Sequence, residues 1–206
     1  KNLEVNYDMA AKLAEYLLEQ GNDGIVVNGT TGESPTLNDD EKVQMFRTVK
    51  QTVGERAVVI AGTGSNDTHH SIELTQKAAE CGVDGIMLVV PYYSKPSQEG
   101  LYQHFKTVAA ATDLPIILYN IPGRCGTNLA PETVVRLAND VPNIVAIKEA
   151  SGDIGQVATL AALADGCLDI YSGNDDQVVP LLALGGKGVI SVLSNVAPRE
   201  THDMVM

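Results

Sequence analysis

Lys148 closes an almost uninterrupted apolar run, Asn143–Ile144–Val145–Ala146–Ile147, and is followed by Glu149–Ala150–Ser151–Gly152–Asp153. An ammonium on an apolar strand loses hydration, so its pKa falls and a free amine becomes available as a nucleophile. A strand-end lysine can equally snorkel to solvent with only its stem buried, and the strand alone leaves both readings open. Tyr119–Asn120–Ile121–Pro122–Gly123–Arg124 offers a phenol able to pass protons and a guanidinium able to grip a carboxylate bidentately. A core tyrosine with a surface arginine would look the same. Gly29–Thr30–Thr31–Gly32–Glu33 presents backbone amides and two hydroxyls, which suit a carboxylate or a phosphate, although such loops are often purely structural. It lacks the G-x-x-x-x-G-K-[ST] pattern, and the third glycine of a dinucleotide fingerprint starting at Gly62–Thr63–Gly64 would fall on Asp67, so no nucleotide is implied. Pro91–Tyr92–Tyr93 stands out in a chain with seven tyrosines and no tryptophan; the pair also suits an interface rim.

Metal chemistry is not expected. His69 and His70 are adjacent rather than four apart, and neither His104 nor His202 sits in an acidic motif. No Ser-His-Asp or Cys-His-Asn arrangement can be argued. What remains is amine chemistry that needs no cofactor.

These residues must be held by a regular frame. Short runs rich in Val and Ile occur at 24–28, 57–61, 85–90, 115–120, 144–148, 168–172 and 188–192, as parallel strands covered on both faces require. Amphipathic stretches lie between them: at 71–81 Ile72, Leu74, Ala78 and Ala79 form a one-sided stripe, and at 131–138 Val134, Val135, Leu137 and Ala138 do the same. Asn38–Asp39–Asp40–Glu41 and Ser97–Gln98–Glu99 read as helix starts, with Gly21, Gly54 and Gly82 at helix stops. A repeat of roughly 20–35 residues fits βα units, and strict alternation implies an α/β fold with a parallel sheet. The polar residues fall at the C-terminal ends of different strands, which a closed barrel gathers onto one face and an open sheet spreads along a crevice. The expectation is therefore a TIM (β/α)8 barrel forming a single domain over residues 1–206. A whole barrel takes about 250 residues, and 7–20 reads as a helix with no strand before it, so the barrel is expected to lack its first strand and its C-terminal helices and to be incomplete at both ends.

The formal net charge of −12 argues against nucleic acid or an anionic membrane as partner. Cys81, Cys125 and Cys167 are an odd, widely spaced set without a C-x-x-C pair, which suits a reducing cytoplasm. No run has the length of a membrane span and no leader pattern begins the chain.

Taken together, Gly29–Thr30–Thr31–Gly32–Glu33, Pro91–Tyr92–Tyr93, Tyr119–Asn120–Ile121–Pro122–Gly123–Arg124, Ile147–Lys148–Glu149–Ala150–Ser151–Gly152–Asp153 and Gly185–Gly186–Lys187–Gly188–Val189–Ile190–Ser191 closely resemble the dihydrodipicolinate synthase family of pyruvate-dependent aldolases, in order and from end to end. The resemblance implies condensation of pyruvate with aspartate semialdehyde to 4-hydroxy-tetrahydrodipicolinate, in diaminopimelate and lysine biosynthesis. Lys148 would form an imine with pyruvate, which tautomerises to an enamine that adds to the aldehyde. Tyr119 would shuttle protons, linked through Thr30 to a Tyr93 reaching in from a neighbouring subunit. Thr31 would help bind the pyruvate carboxylate and Arg124 the semialdehyde carboxylate, while Gly173 and Ile190 would supply backbone groups. A homotetramer, a dimer of dimers, is implied. Ser34, Asn66 and Tyr92 match a feedback site for lysine, but Asp39, Lys42 and His70 depart from it, so weak or absent lysine inhibition is expected. Two rivals remain: a related Schiff-base enzyme (N-acetylneuraminate lyase or a keto-deoxy-sugar-acid aldolase), which Arg124 argues against, and a non-catalytic pyruvate-binding fragment.

Overall fold

In the computed structural model, which describes residues 4–206, seven strands lie side by side in chain order. They are β1 (Gly24–Val27), β2 (Val58–Gly62), β3 (Gly85–Val89), β4 (Ile116–Asn120), β5 (Ile144–Glu149), β6 (Asp169–Ser172) and β7 (Gly188–Val189). All six pairings are parallel. The helices are α1 (Tyr7–Glu19), α2 (Asp39–Val53), α3 (Thr68–Glu80), α4 (Gln98–Ala109), α5 (Pro122–Cys125), α6 (Pro131–Asp140), α7 (Ile154–Ala164), α8 (Val178–Ala183) and α9 (Pro198–Val205). The sheet curls, because residues of β1, β4, β5 and β7 line a single cavity. This is the (β/α)-barrel architecture with seven strands. Among the described residues β7 and β1 are not bonded to each other. Their ends approach through helices instead: His202 of α9 packs beside Gly21 and lies 3.5 Å from Asp23. No helix among the described residues is long and apolar enough to cross a membrane.

Local chemistry explains the element boundaries. Asn38 and Glu41 form a reciprocal capping box at the start of α2, satisfying two amides that the helix cannot use. Asp67, Ser97 and Asp153 cap α3, α4 and α7 in the same way with one side chain each. Gly21, Gly54 and Gly82 all adopt positive φ where helices end. Five strands are shorter than the sequence suggests, β3, β4 and β6 by a single residue, and the early ends of β1 and β7 have visible causes. β1 stops before Asn28, which turns into the left-handed region (φ 60°) and donates to the Lys42 carbonyl. β7 was expected to reach Val192. The Ile190 amide still pairs with Ser172 O, but the Val192 and Leu193 amides turn away to the carboxylate of Asp175.

Packing follows the two-residue period of the strands. Side chains on one face, including Leu88, Ile116, Leu118 and Ile147, join Phe46, Phe105, Leu101, Leu137 and Leu160 in a large cluster between sheet and helices. Their neighbours Met87, Ile117, Tyr119 and Ala146 face the opposite way into a smaller cluster inside the curl. With Ala146 inward and Ile147 outward, Lys148 must point in and Glu149 out.

Candidate active site

Lys148 is 9% exposed. Its Nζ lies 4.2 Å from the centre of the Tyr119 ring, because Tyr119 and Lys148 are register partners on β4 and β5. Among the described residues its amine makes no hydrogen bond. Burial pulls the Lys148 pKa down to about 8; the Asp175 carboxylate opposes this, while the Arg124 guanidinium adds to it. A useful fraction of free amine therefore exists near neutral pH. Burial raises the Tyr119 phenol above its usual value, offset in part by Arg124, so the phenol stays protonated and able to donate.

The cavity inside the curl, about 1130 Å³, is lined by Thr30, Thr31, Tyr119, Arg124, Lys148, Gly173 and Ile190 among others. Seven of the expected site residues thus share one space. Thr30 and Thr31 form a short 3-10 turn after β1, and Arg124 rides on α5 with its guanidinium outside any ion pair among the described residues. Asp175 lines the same cavity, so within it Arg124, held outside any ion pair among the described residues, is the group suited to grip a small carboxylate. Gly173 has a role that backbone chemistry alone does not suggest. A Cβ there would sit 2.9 Å from Lys148 Cε and 2.7 Å from Ala150 Cβ, so a side chain would displace the lysine. The Ile190 amide is committed to Ser172 O, and its side chain packs on the inner cluster. Only its carbonyl remains as a backbone group for a ligand.

Tyr93 is not brought in. It is 88% exposed, has φ 70°, and lines neither cavity; no hydrogen bond joins Thr30, Tyr119 and Tyr93 within one chain. Its backbone amide donates to Cys125 O, fastening it to the loop that carries Arg124. A second cavity, about 460 Å³, adjoins Thr30, Tyr119 and Arg124 and continues to Ser34, Lys42, His70 and Tyr92. Asn66 lies outside its lining and donates to Tyr92 O. Asp39 sits 2.9 Å from His70 Nε2 and 3.6 Å from Lys42 Nζ, so these three side chains already satisfy one another.

Asp175 is a residue that sequence reasoning missed. Its carboxylate accepts from Ser191 Oγ and from the Val192 and Leu193 amides, and it is the charge that raises the Lys148 pKa. The available signal was an acidic residue just beyond β6, on the loop after its strand as Arg124 is after β4.

The sequence pattern of the dihydrodipicolinate synthetase family matches residues 1–206. The chain belongs to that family. It is similar to the 4-hydroxy-tetrahydrodipicolinate synthase of Desulforamulus reducens, 58% identical over 204 residues that cover 99% of this chain and 69% of that protein. The Bacillus subtilis synthase of the same name is 53% identical over 98% of this chain and 69% of its own length. Among solved structures, the dihydrodipicolinate synthase of Acinetobacter baumannii complexed with pyruvate superposes with a TM-score of 0.97 at 45% identity, covering all of this chain and 70% of that one. A monomeric variant of a dihydrodipicolinate synthase superposes equally well, with a TM-score of 0.97 at 44% identity over the whole of this chain and 69% of that one. The family relation accounts for the seven parallel strands in chain order and for an enzyme of the lyase class.

Proposed function

We propose that the protein condenses pyruvate with aspartate semialdehyde through a Schiff base on Lys148, yielding 4-hydroxy-tetrahydrodipicolinate for diaminopimelate and lysine biosynthesis. The neutral Lys148 amine attacks the keto carbon of pyruvate, water leaves, and an imine forms. Loss of a methyl proton gives an enamine whose carbon attacks the aldehyde, and the amino group of the former semialdehyde then attacks the regenerated imine carbon, closing the ring and displacing Lys148 as free amine. Tyr119, kept protonated by burial, gives and recovers protons at the carbinolamine and at the new alkoxide. Thr31 holds the pyruvate carboxylate, Arg124 holds that of the semialdehyde, and the Ile190 carbonyl and Gly173 complete the walls. The observation that carries this reading is a nearly buried lysine, its pKa pulled to about 8, in one cavity with Tyr119 and Arg124.

Thr30 and the exposed Tyr93 support a proton relay completed by Tyr93 of a second copy, and hence a dimer; the homotetramer, a dimer of dimers, is what the family resemblance implies. Three free cysteines support a cytoplasmic setting. The mutual pairing of Asp39, Lys42 and His70 supports weak feedback by lysine at the cavity shared by Ser34 and Tyr92.

Incubation with pyruvate followed by borohydride reduction tests the central step. A mass increase mapped to Lys148, and turnover only when aspartate semialdehyde is added, is the expected result. Absence of the adduct at Lys148 would overturn the proposal. An adduct with turnover toward a sugar acid instead would reassign the substrate.

A further inference from the structure

Behind Lys148, on the helix side of β5, lies a buried polar cluster that the reaction does not touch. Glu149 is 3% exposed and forms no ion pair among the described residues. Its carboxylate accepts from Asn120 Nδ2 at 3.1 Å, from the Ser151 amide at 2.6 Å and from Gln156 Nε2 at 3.2 Å. A buried carboxylate held only by neutral donors is costly, and an apolar residue of similar size would pack more cheaply.

The hydrogen-bond directions explain why an acceptor is needed there. The Leu129 backbone N–H can only donate, and it takes Asn120 Oδ1 at 3.0 Å. That turns the Asn120 NH2 toward Glu149 and toward Asn128 Oδ1, the latter at 2.8 Å. Gln156 and Asn128 pair reciprocally at 2.7 and 3.2 Å, so the Gln156 NH2 also faces the carboxylate. Every group around Glu149 is a donor, and only an acceptor-only side chain satisfies them all.

The cluster joins three segments. Asn120 and Glu149 follow Tyr119 and Lys148 directly in sequence and are themselves register partners. Asn128 and Leu129 end the loop that carries Arg124 and binds the Tyr93 amide at Cys125 O. Gln156 lies in the first turns of α7. Gln98 anchors the same loop from α4, donating to Asn128 O and accepting from the Ala130 amide.

We infer that Glu149 is a positioning residue: its carboxylate locks the loop bearing Arg124 in register with the strand bearing Lys148. The inference rests on the function proposed above. Loosening the lock displaces the semialdehyde carboxylate clamp and spares the amine.

Glu149→Gln retains the shape but turns an NH2 against at least one donor. The expected result is a KM for aspartate semialdehyde raised about tenfold, with the KM for pyruvate and the yield of reduced pyruvate adduct at Lys148 within about twofold of the unmodified protein. Gln156→Ala, a milder loss at a half-buried site, should give the same split with a smaller amplitude and serves if Glu149→Gln does not fold. Equal changes in both KM values, or a fall in adduct yield matching the fall in turnover, would reduce Glu149 to general stability and overturn the inference. A missing adduct in the unmodified protein would instead overturn the proposed function.

Discussion

β4 is buried at every position from Ile116 to Asn120, whereas β1 runs from exposed Gly24 through two half-buried residues to buried Val27. At the other end β7 is ordered as a strand over only Gly188–Val189. The sequence runs behind them are equally apolar. What differs is position. β4 and β5 have a strand on each side, so their ladder groups and both faces are satisfied, and they hold Tyr119 and Lys148 side by side. β1 and β7 each have one strand neighbour among the described residues, and the wide cavity extends along their inner faces and down to α1 and α9. The comparison teaches that the chemistry is carried by the saturated centre, while the ends of the sheet supply loops that reach over it.

The largest effect expected from this contrast is on stability. Leu118→Ala, at a fully buried position of β4, should cost about 3–4 kcal/mol in urea unfolding, against about 1–2 kcal/mol for Ile25→Ala, half-buried on β1. Equal losses would break the comparison. The next effect is electrostatic. The folded-state pKa of Lys148 lies near 8, below its ordinary 10.5, so the unfolded chain binds more protons between those values. Stability from this site should therefore rise as pH climbs from about 8 to about 10.5, the burial penalty being complete below that window. Lys148→Met should be more stable than the unmodified protein at pH 7, with the gap narrowing across the window, as thermal melts at several pH values will read. Adduct formation should itself rise with pH through about 8, and Asp175→Asn should move that midpoint down by removing the charge that opposes it.

Smaller effects sharpen the comparison on the β1 side. Because Asp39, Lys42 and His70 satisfy one another, free lysine below about millimolar should not reach half-inhibition in a steady-state assay. Arg56 and Glu15 form an exposed ion pair between the β2 approach and α1; Arg56→Ala should shift Tm by no more than about 2 °C, and by less in added salt.

Much of the site could be read from residue order because the signals are local. An apolar run ending in Lys148, a tyrosine ending another at 119, and Arg124 a few residues on are each visible without folding. Helix caps at Asn38 and Ser97 were legible for the same reason, since a cap bonds within its own first turn. Asp175 was not legible, because its partners Ser191, Val192 and Leu193 lie more than a dozen residues away and meet it only when β6 and β7 pair. The early end of β7 has the same origin. Tyr93 was legible as a type and a place, but its exposure within one chain is a property of the folded turn around it.

By itself the sequence determined the alternation of strands and helices and the reactive residue types. Those are consequences of nearest-neighbour chemistry. Only the tertiary structure decided that Lys148 lies over the Tyr119 ring, that Gly173 must lack a side chain to leave it room, and that Asn120, Asn128 and Gln156 converge on Glu149. Each depends on the curl and register of strands brought together from distant parts of the chain, and on how closely the packed interior lets their atoms approach.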